Sequence, residues 1–241
     1  MELEIVHLYH DLLNTYGDDG NIKIIKRRAE KRGIAVNVKN VTVGDRIGKC
    51  DIMFLGGGQD FEQTIASADL IQNRRDFIRG YVEDSGVLLA ICGGYQLMGE
   101  YYVAADKTKM EGLNILPIRT DAGNRRIIGN LILENELETL VGFENHSGRT
   151  FIGDLKPLGR VLFGGGNNGT DKTEGAVYKN TICTYMHGPF LSKNPYICDD
   201  IIRRALTKKY GSAVLEPVDD YYEKAAKDAM IKRLLQERAA K

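Results

Sequence analysis

A cysteine set between an apolar run and two glycines carries the clearest chemical content in the chain. Val87-Leu88-Leu89-Ala90-Ile91 reads as a buried strand, Cys92 follows, and Gly93-Gly94-Tyr95-Gln96-Leu97-Met98 turns at once into a helical segment. A strand that breaks abruptly into a helix holds a side chain on a tight, exposed elbow. The backbone N–H groups of the first helical turn point at the same spot, where they can activate a thiol and bind an oxyanion. Ala90 and Gly94 are small enough to permit the sharp turn. An inert thiol in a βα corner is the alternative.

A thiol needs a base or a positive neighbour to be nucleophilic near neutral pH, and the chain has four histidines. His7 lies inside a strand-like run and His10 just beyond it, positions that suit structural roles. His146 sits in Phe143-Glu144-Asn145-His146-Ser147-Gly148-Arg149-Thr150. His187 follows the run Thr181–Met186 and precedes Gly188-Pro189-Phe190, a turn that leaves its ring free to face a cleft. In an α/β sheet that cleft lies at the carboxyl ends of the strands, where Cys92 and His187 both fall. His187 is therefore the expected base and His146 the alternative. Gly56-Gly57-Gly58 ends another strand at the same edge. A turn without side chains brings an N–H close to a substrate carbonyl, and with the N–H of Gly93 it forms a two-donor oxyanion hole.

The elements needed to position these groups alternate. Strand-like runs at Leu3–Tyr9, Ile34–Val41, Asp51–Leu55 and Val87–Ile91 are interleaved with helical segments at Ile22–Arg32, stopped by Gly33, and at Asp69–Glu83. Asn14-Thr15-Tyr16-Gly17-Asp18-Asp19-Gly20-Asn21 is a turn-rich loop. Such alternation predicts an α/β fold, a mostly parallel sheet with helices on both faces. Beyond about Asp106 the texture changes to an antiparallel extension, with strand-like runs at Leu113–Thr120, Ile127–Glu134, Thr139–Phe143, Arg160–Phe163, Ala176–Lys179 and Thr181–Met186. Lys179-Asn180 fits a hairpin tip. Pro195–Lys241 reads as two helices parted near Tyr210-Gly211. With no linker and no internal repeat, residues 1–241 are expected to form one domain.

Composition narrows the function classes. The 241 residues carry 33 Lys plus Arg against 33 Asp plus Glu, with no basic stretch interleaved with aromatics, so neither a nucleic-acid groove nor a membrane surface is expected. No apolar stretch is long enough to span a bilayer, and the N-terminus opens directly into a strand-like run rather than a signal peptide. Cys50, Cys92, Cys183 and Cys198 show no Cys-x-x-Cys pairing, which suits free thiols in a reducing cytoplasm. The loop Gly164-Gly165-Gly166-Asn167-Asn168-Gly169-Thr170 has the glycine spacing of a phosphate-binding loop. Thr170 stands where that motif requires lysine. No metal or other cofactor is expected, and the loop reads as mobile.

Four segments, taken together and in order, resemble the class I (triad-type) glutamine amidotransferases of the cobyric and cobyrinic acid synthase group. They are Phe54-Leu55-Gly56-Gly57-Gly58-Gln59-Asp60, Ile91-Cys92-Gly93-Gly94-Tyr95-Gln96, Glu144–Thr150 and Tyr185-Met186-His187-Gly188. The loop Asn14–Asn21 and Gly166-Asn167-Asn168-Gly169 make the chain most similar to the stand-alone glutaminase subunits of lipid II isoglutaminyl synthases. The resemblance implies a three-layer, flavodoxin-like sheet fold. It implies that Cys92 attacks the side-chain amide of L-glutamine, with His187 as general base and acid and Gly58 (or Gly57) and Gly93 as oxyanion donors. Gln96 would contact substrate, and Arg126, with Arg125 as the alternative, would pair with the substrate α-carboxylate. It also implies a heterodimer with an ATP-dependent, Mur-ligase-like synthetase subunit (MurT) that receives the ammonia. Glutaminases for another amidation, such as that of a cobyrinate-like acceptor, and a non-catalytic regulatory subunit are the other readings.

One position departs from the pattern. Many class I enzymes carry His-x-Glu, the glutamate orienting the histidine, but Pro189 stands two residues after His187. The orienting group is then absent, supplied from elsewhere in this chain, or supplied by the partner. An Asp or Glu of the partner is the expected orienting group.

Overall fold

The computed structural model describes residues 1–239. The first part alternates strand and helix: β1 (Glu2–Leu8), α1 (Gly20–Glu30), β2 (Ala35–Val41), β3 (Ile52–Leu55), α2 (Asp60–Asp69), α3 (Arg75–Glu83), β4 (Val87–Ile91) and α4 (Gly93–Leu97). The strands β5 (Tyr101–Val103), β6 (Lys109–Glu111), β7 (Arg119–Glu134), β8 (Thr139–Phe151), β9 (Gly159–Phe163), β10 (Thr173–Glu174), β11 (Ala176–Tyr178) and β12 (Thr181–Thr184) follow. Helices α5 (Pro195–Tyr210) and α6 (Tyr221–Ala239) come last.

Two sheets result. The first has the order β11-β12-β4-β3-β1-β2. Every pair in it is parallel except β11 with β12. Its central strands β3 and β4 are apolar and buried on both faces because helices cover both, whereas the edge strand β2 is largely exposed. Along β4, Val87, Leu89 and Ile91 enter one core with residues of α1 and α5, while Leu88 and Ala90 enter the other with residues of α2 and α3. This alternation is the period of two that a pleated strand imposes. The second sheet, β10-β9-β7-β5-β6 with β8 on β7, is antiparallel except for β5 with β7. The expected mostly parallel sheet with an antiparallel extension is what forms.

Several boundaries differ from the sequence reading, each for a physical reason. The helix expected over 69–83 begins at Asp60 and passes through a wider π-helical turn, Leu70–Arg74, before α3. Arg74 in that turn is buried and its Nε donates to Asp69 Oδ2 at 2.5 Å, which also accepts from Tyr9 Oη at 2.7 Å. The separate runs 127–134 and 139–143 belong to two long paired strands, β7 and β8, whose register breaks between Ala122 and Ile127. Residues 144–150 therefore belong to β8. The run 113–120 is largely not a strand, since β7 starts only at Arg119. The glycine-rich loop 164–170 is tied down rather than free. The N–H groups of Gly165 and Gly166 donate to the two oxygens of Glu144 at 2.7 and 2.9 Å, and Asn167 and Asn168 are buried. The expected hairpin tip is present, with Lys179 at φ +52° between β11 and β12.

The strand order carries the functional consequence. The carboxyl ends of β1, β3, β4 and β12 lie side by side on one edge of the parallel sheet, so the segments that follow them converge there. A bridge between Phe143 of β8 and His187, with N–H···O distances of 3.2 and 2.7 Å, ties the second sheet to the same edge.

Candidate active site

Cys92 occupies the elbow between β4 and α4 with φ +50° and ψ −102°, a conformation that L side chains rarely adopt. Its surroundings hold it there. Cys92 N donates to Thr184 O of β12 at 2.9 Å, Gln96 N donates back to Cys92 O at 3.0 Å, and Gly94 N donates to Gly56 O at 3.0 Å. The thiol is partly exposed, whereas Cys183 and Cys198 are buried, with burial pushing both thiols well up from their ordinary pKa. The side chain of Cys92 lines a cavity of about 730 Å³ that also receives His187, Gln96, Arg126, His146 and Gly58.

His187 arrives from the end of β12, and its partner comes from the other end of the chain. Nδ1 of the imidazole lies 2.9 Å from Asp18 Oδ1, with both side chains essentially fully buried. The ring responds to opposing influences. Burial pushes its pKa down, while the bond to Asp18 and the nearby Cys92 outweigh that and raise it from 6.5 to about 10. The expectation of a carboxylate from a partner is thus corrected at Nδ1, because an aspartate of this chain fills the position. Pro189, where a glutamate often stands, instead packs on Gly20 at the start of α1; a Cβ on Gly20 would come within 2.2 Å of Pro189 Cγ. Asn21 completes the splice. Its Oδ1 accepts from Leu191 N at 2.9 Å and its Nδ2 donates to Asp18 O at 3.0 Å, locking the histidine's turn to the aspartate's loop.

The Gly56-Gly57-Gly58 turn closes the third side. Gly57 N donates to Asp18 Oδ2 at 3.0 Å, so one carboxylate serves both the imidazole and the turn. A Cβ on Gly57 would stand 3.1 Å from Asp18 Oδ2, 3.2 Å from Cys92 Cβ and 3.3 Å from His187 Cε1, so the absent side chain lets the three groups meet. A Cβ on Gly93 would lie 3.1 Å from Gly58 N. Gly58 N therefore lies beside Gly93, and neither glycine's N–H donates to an acceptor among the described residues. Gln63 of α2, which the sequence reading passed over, fixes the Gly58 peptide by donating to its carbonyl at 2.9 Å.

The remaining expected residues separate clearly. Arg126, in the register break of β7, reaches the cavity mouth, whereas Arg125 lines a different, open groove with Arg149. Gln96 is buried at the cavity floor and donates to Tyr185 Oη at 3.2 Å. His146 lines the cavity too, but its ring stacks on Tyr185 at 3.7 Å and its Nδ1 bonds to Gly148 O at 2.9 Å. A carbonyl only accepts, so Nδ1 carries the proton. The Glu144 carboxylate stands 3.7 Å from His146 Nε2, longer than the 2.9 Å bond between Asp18 and His187, and its two oxygens accept from the N–H groups of Gly165 and Gly166. Tyr16, on the same loop as Asp18, covers the base with its ring 4.8 Å from that of His187.

Comparison with known proteins shows the family. Residues 4–195 match the family described as a CobB/CobQ-like glutamine amidotransferase domain. The chain is 47% identical over 222 residues to the "Lipid II isoglutaminyl synthase (glutamine-hydrolyzing) subunit GatD" of Streptococcus pneumoniae, covering 90% of this chain and 85% of that one. It is 43% identical to the subunit of the same name in Staphylococcus aureus, over 96% of both. A probable cobyric acid synthase of Methanothermobacter thermautotrophicus is 28% identical over 78% of this chain and 39% of its own length. Among solved structures, PurLQS of Thermotoga maritima aligns with a TM-score of 0.59 over 86% of this chain and 99% of the matched one; at 15% identity this is a likeness of fold.

Proposed function

The chain belongs to the CobB/CobQ-like glutamine amidotransferase family, and from that premise we propose that it is the glutaminase subunit of a lipid II isoglutaminyl synthase. The line of Asp18, His187 and Cys92, with Asp18 Oδ1 2.9 Å from His187 Nδ1 and the imidazole and Cys92 side by side against Gly57 at the wall of one cavity, is the observation that carries the catalytic part of this reading. Identity of 43–47% to two glutamine-hydrolysing subunits supports the assembly and acceptor.

The reaction follows from the groups in place. His187 holds the proton of the thiol–imidazole pair, and the Cys92 sulfur attacks the side-chain carbonyl carbon of glutamine. The carbonyl oxygen, now negative, is held by the N–H groups of Gly58 and Gly93, each donor contributing about 10²–10³ in rate. His187 returns the proton to the amide nitrogen, the C–N bond breaks, and ammonia leaves a γ-glutamyl thioester. Water, deprotonated by the same imidazole, then attacks the thioester carbon, releasing glutamate and the thiol. Asp18 keeps the imidazole in register throughout. Arg126 pairs with the α-carboxylate and Gln96 contacts the bound amino acid. The ammonia passes to an ATP-dependent, Mur-ligase-like partner, which amidates the glutamate of the lipid II stem.

Ammonia release from glutamine, measured on the pure chain and on Cys92→Ser, tests the first half. The wild type should release ammonia and the variant none, because a serine hydroxyl is too poor an acid for this base. The second half is tested by adding the Mur-ligase-like subunit with ATP and lipid II. Amide nitrogen should then move from labelled glutamine to lipid II. Ammonia release that survives in Cys92→Ser, or transfer to a cobyrinate acceptor in place of lipid II, would overturn the corresponding half.

A further inference from the structure

Arg126 sits in the interrupted stretch of β7, where the ladder that would hold its backbone in register is missing. A long, flexible side chain leaving such a segment needs another constraint to aim its charge. Asn145 of β8 supplies one. Its Oδ1 accepts from Arg126 Nε at 3.0 Å and from Nη2 at 2.8 Å, and its backbone carbonyl accepts a further bond from Nη2 at 3.2 Å. Because a guanidinium has only donors, the oxygen of the Asn145 amide must face it. The NH₂ group then faces the other way, where it donates to Tyr16 Oη. Tyr16, at φ +62°, stands over His187 at the cavity mouth. The chain of contacts thus runs Arg126–Asn145–Tyr16 across the opening, and Nη1 of Arg126 finds no acceptor among the described residues.

We propose that Asn145 is a positioning residue that aims Arg126 at the carboxylate of the amide substrate, with Tyr16 fixing which way its amide faces. The inference rests on the glutaminase reading and adds to it the element that recognises the amino-acid end of the substrate. The residue type matters. A neutral amide oxygen orients the guanidinium while leaving its charge available to an incoming carboxylate. An aspartate of the same shape would take that charge for itself.

Two electrophiles separate aiming from mere support. 6-Diazo-5-oxo-L-norleucine carries the α-carboxylate of glutamine, and iodoacetamide carries none; both alkylate thiols. The rate of modification at Cys92 is read by peptide mass spectrometry for the wild type, Asn145→Ala, Asn145→Asp and Tyr16→Phe. With the carboxylate-bearing probe, both Asn145 variants should react more slowly by about tenfold or more, the range expected when a hydrogen bond to a charged group is lost. Tyr16→Phe should fall between them and the wild type. With iodoacetamide all four proteins should react alike. Equal rates of the first probe in wild type and Asn145 variants would overturn the inference. So would equal slowing by both probes, which would mark Asn145 as structural. Failure of the wild type to react with the glutamine analogue while iodoacetamide still labels Cys92 would remove the glutaminase reading itself and this inference with it.

Discussion

Burial disfavours the imidazolium form of His187, and Asp18 and Cys92 reverse that preference, holding the pKa at about 10 instead of 6.5. The pairing has a defined sign. The folded chain keeps a proton that the unfolded chain releases above about pH 6.5, so this contribution to stability is full below that pH and is lost as pH rises through about 10. In Asp18→Asn the carboxylate's share disappears. NMR titration of the His187 ring should therefore show a lower pKa, and the fall in stability between pH 6.5 and 10 should be shallower than in wild type. Glutamine hydrolysis should drop by up to about 10⁴, the cost of removing an orienting carboxylate from comparable sites. A variant with unchanged turnover and an unmoved titration would show that the bond at Nδ1 is incidental. Cys92 and His187 were legible because each sits at an element junction with a local signature, a strand followed by Gly-Gly or by Gly-Pro. Asp18 was not, because a carboxylate in a loop of turn-forming residues looks like any solvated aspartate. Only the crossing of the chain ends brings it to a histidine 169 positions away.

At the scale of elements, short turns position the chemistry and the strands behind them supply rigidity. The Gly56–Gly58 turn shows how local the demand is. A Cβ on Gly56 would strike the backbone carbonyl of Leu13 at 2.1 Å, whereas one on Gly57 would press at 3.1–3.3 Å on Asp18, Cys92 and His187. The two alanine variants should accordingly fail in different ways. Gly56→Ala must move backbone and should lose about 1–3 kcal/mol of stability, the usual cost of overpacking. Gly57→Ala should melt close to wild type but lose turnover by about tenfold or more, since displacements of a few tenths of an ångström matter among reacting groups. Thermal unfolding and kcat measured on both proteins decide the matter; identical behaviour would mean the turn acts as a unit. The central parallel strands β3 and β4 could be read from sequence because burial on both faces leaves unbroken apolar runs. From sequence the β7–β8 pair breaks into shorter pieces because its middle, Asp121–Arg126 against Glu144–Arg149, is polar and glycine-bearing. That same stretch carries Asn145, His146 and Arg126, so the part of the fold that lacked a periodic signal is the part that lines the cavity.

At the scale of the whole molecule, the strand order β12-β4-β3-β1 gathers residues 18, 57, 92 and 187 at one edge, so the reacting groups are assembled by a single chain. No helix of the described residues is long and apolar enough to cross a membrane, and residues 4–195 account for the whole of this edge. The fold class was legible because alternation of strand and helix admits few topologies. The completeness of the site was not, since it depends on which loops meet. This completeness bears directly on the proposed partner. A partner that supplied the orienting carboxylate would rescue Asp18→Asn, because the vacated interaction at Nδ1 would be remade on assembly. With Asp18 already in place, fully buried and bonded to Gly57 as well as to His187, nothing from outside needs to reach that nitrogen. The isolated chain should therefore hydrolyse glutamine measurably. Asp18→Asn should lose about the same factor alone and in complex with the Mur-ligase-like subunit. The measurement is kcat for glutamate formation by wild type and variant, each with and without the partner. Restoration of the variant to wild-type turnover on complex formation would sink the self-contained site and place the third group in the partner after all.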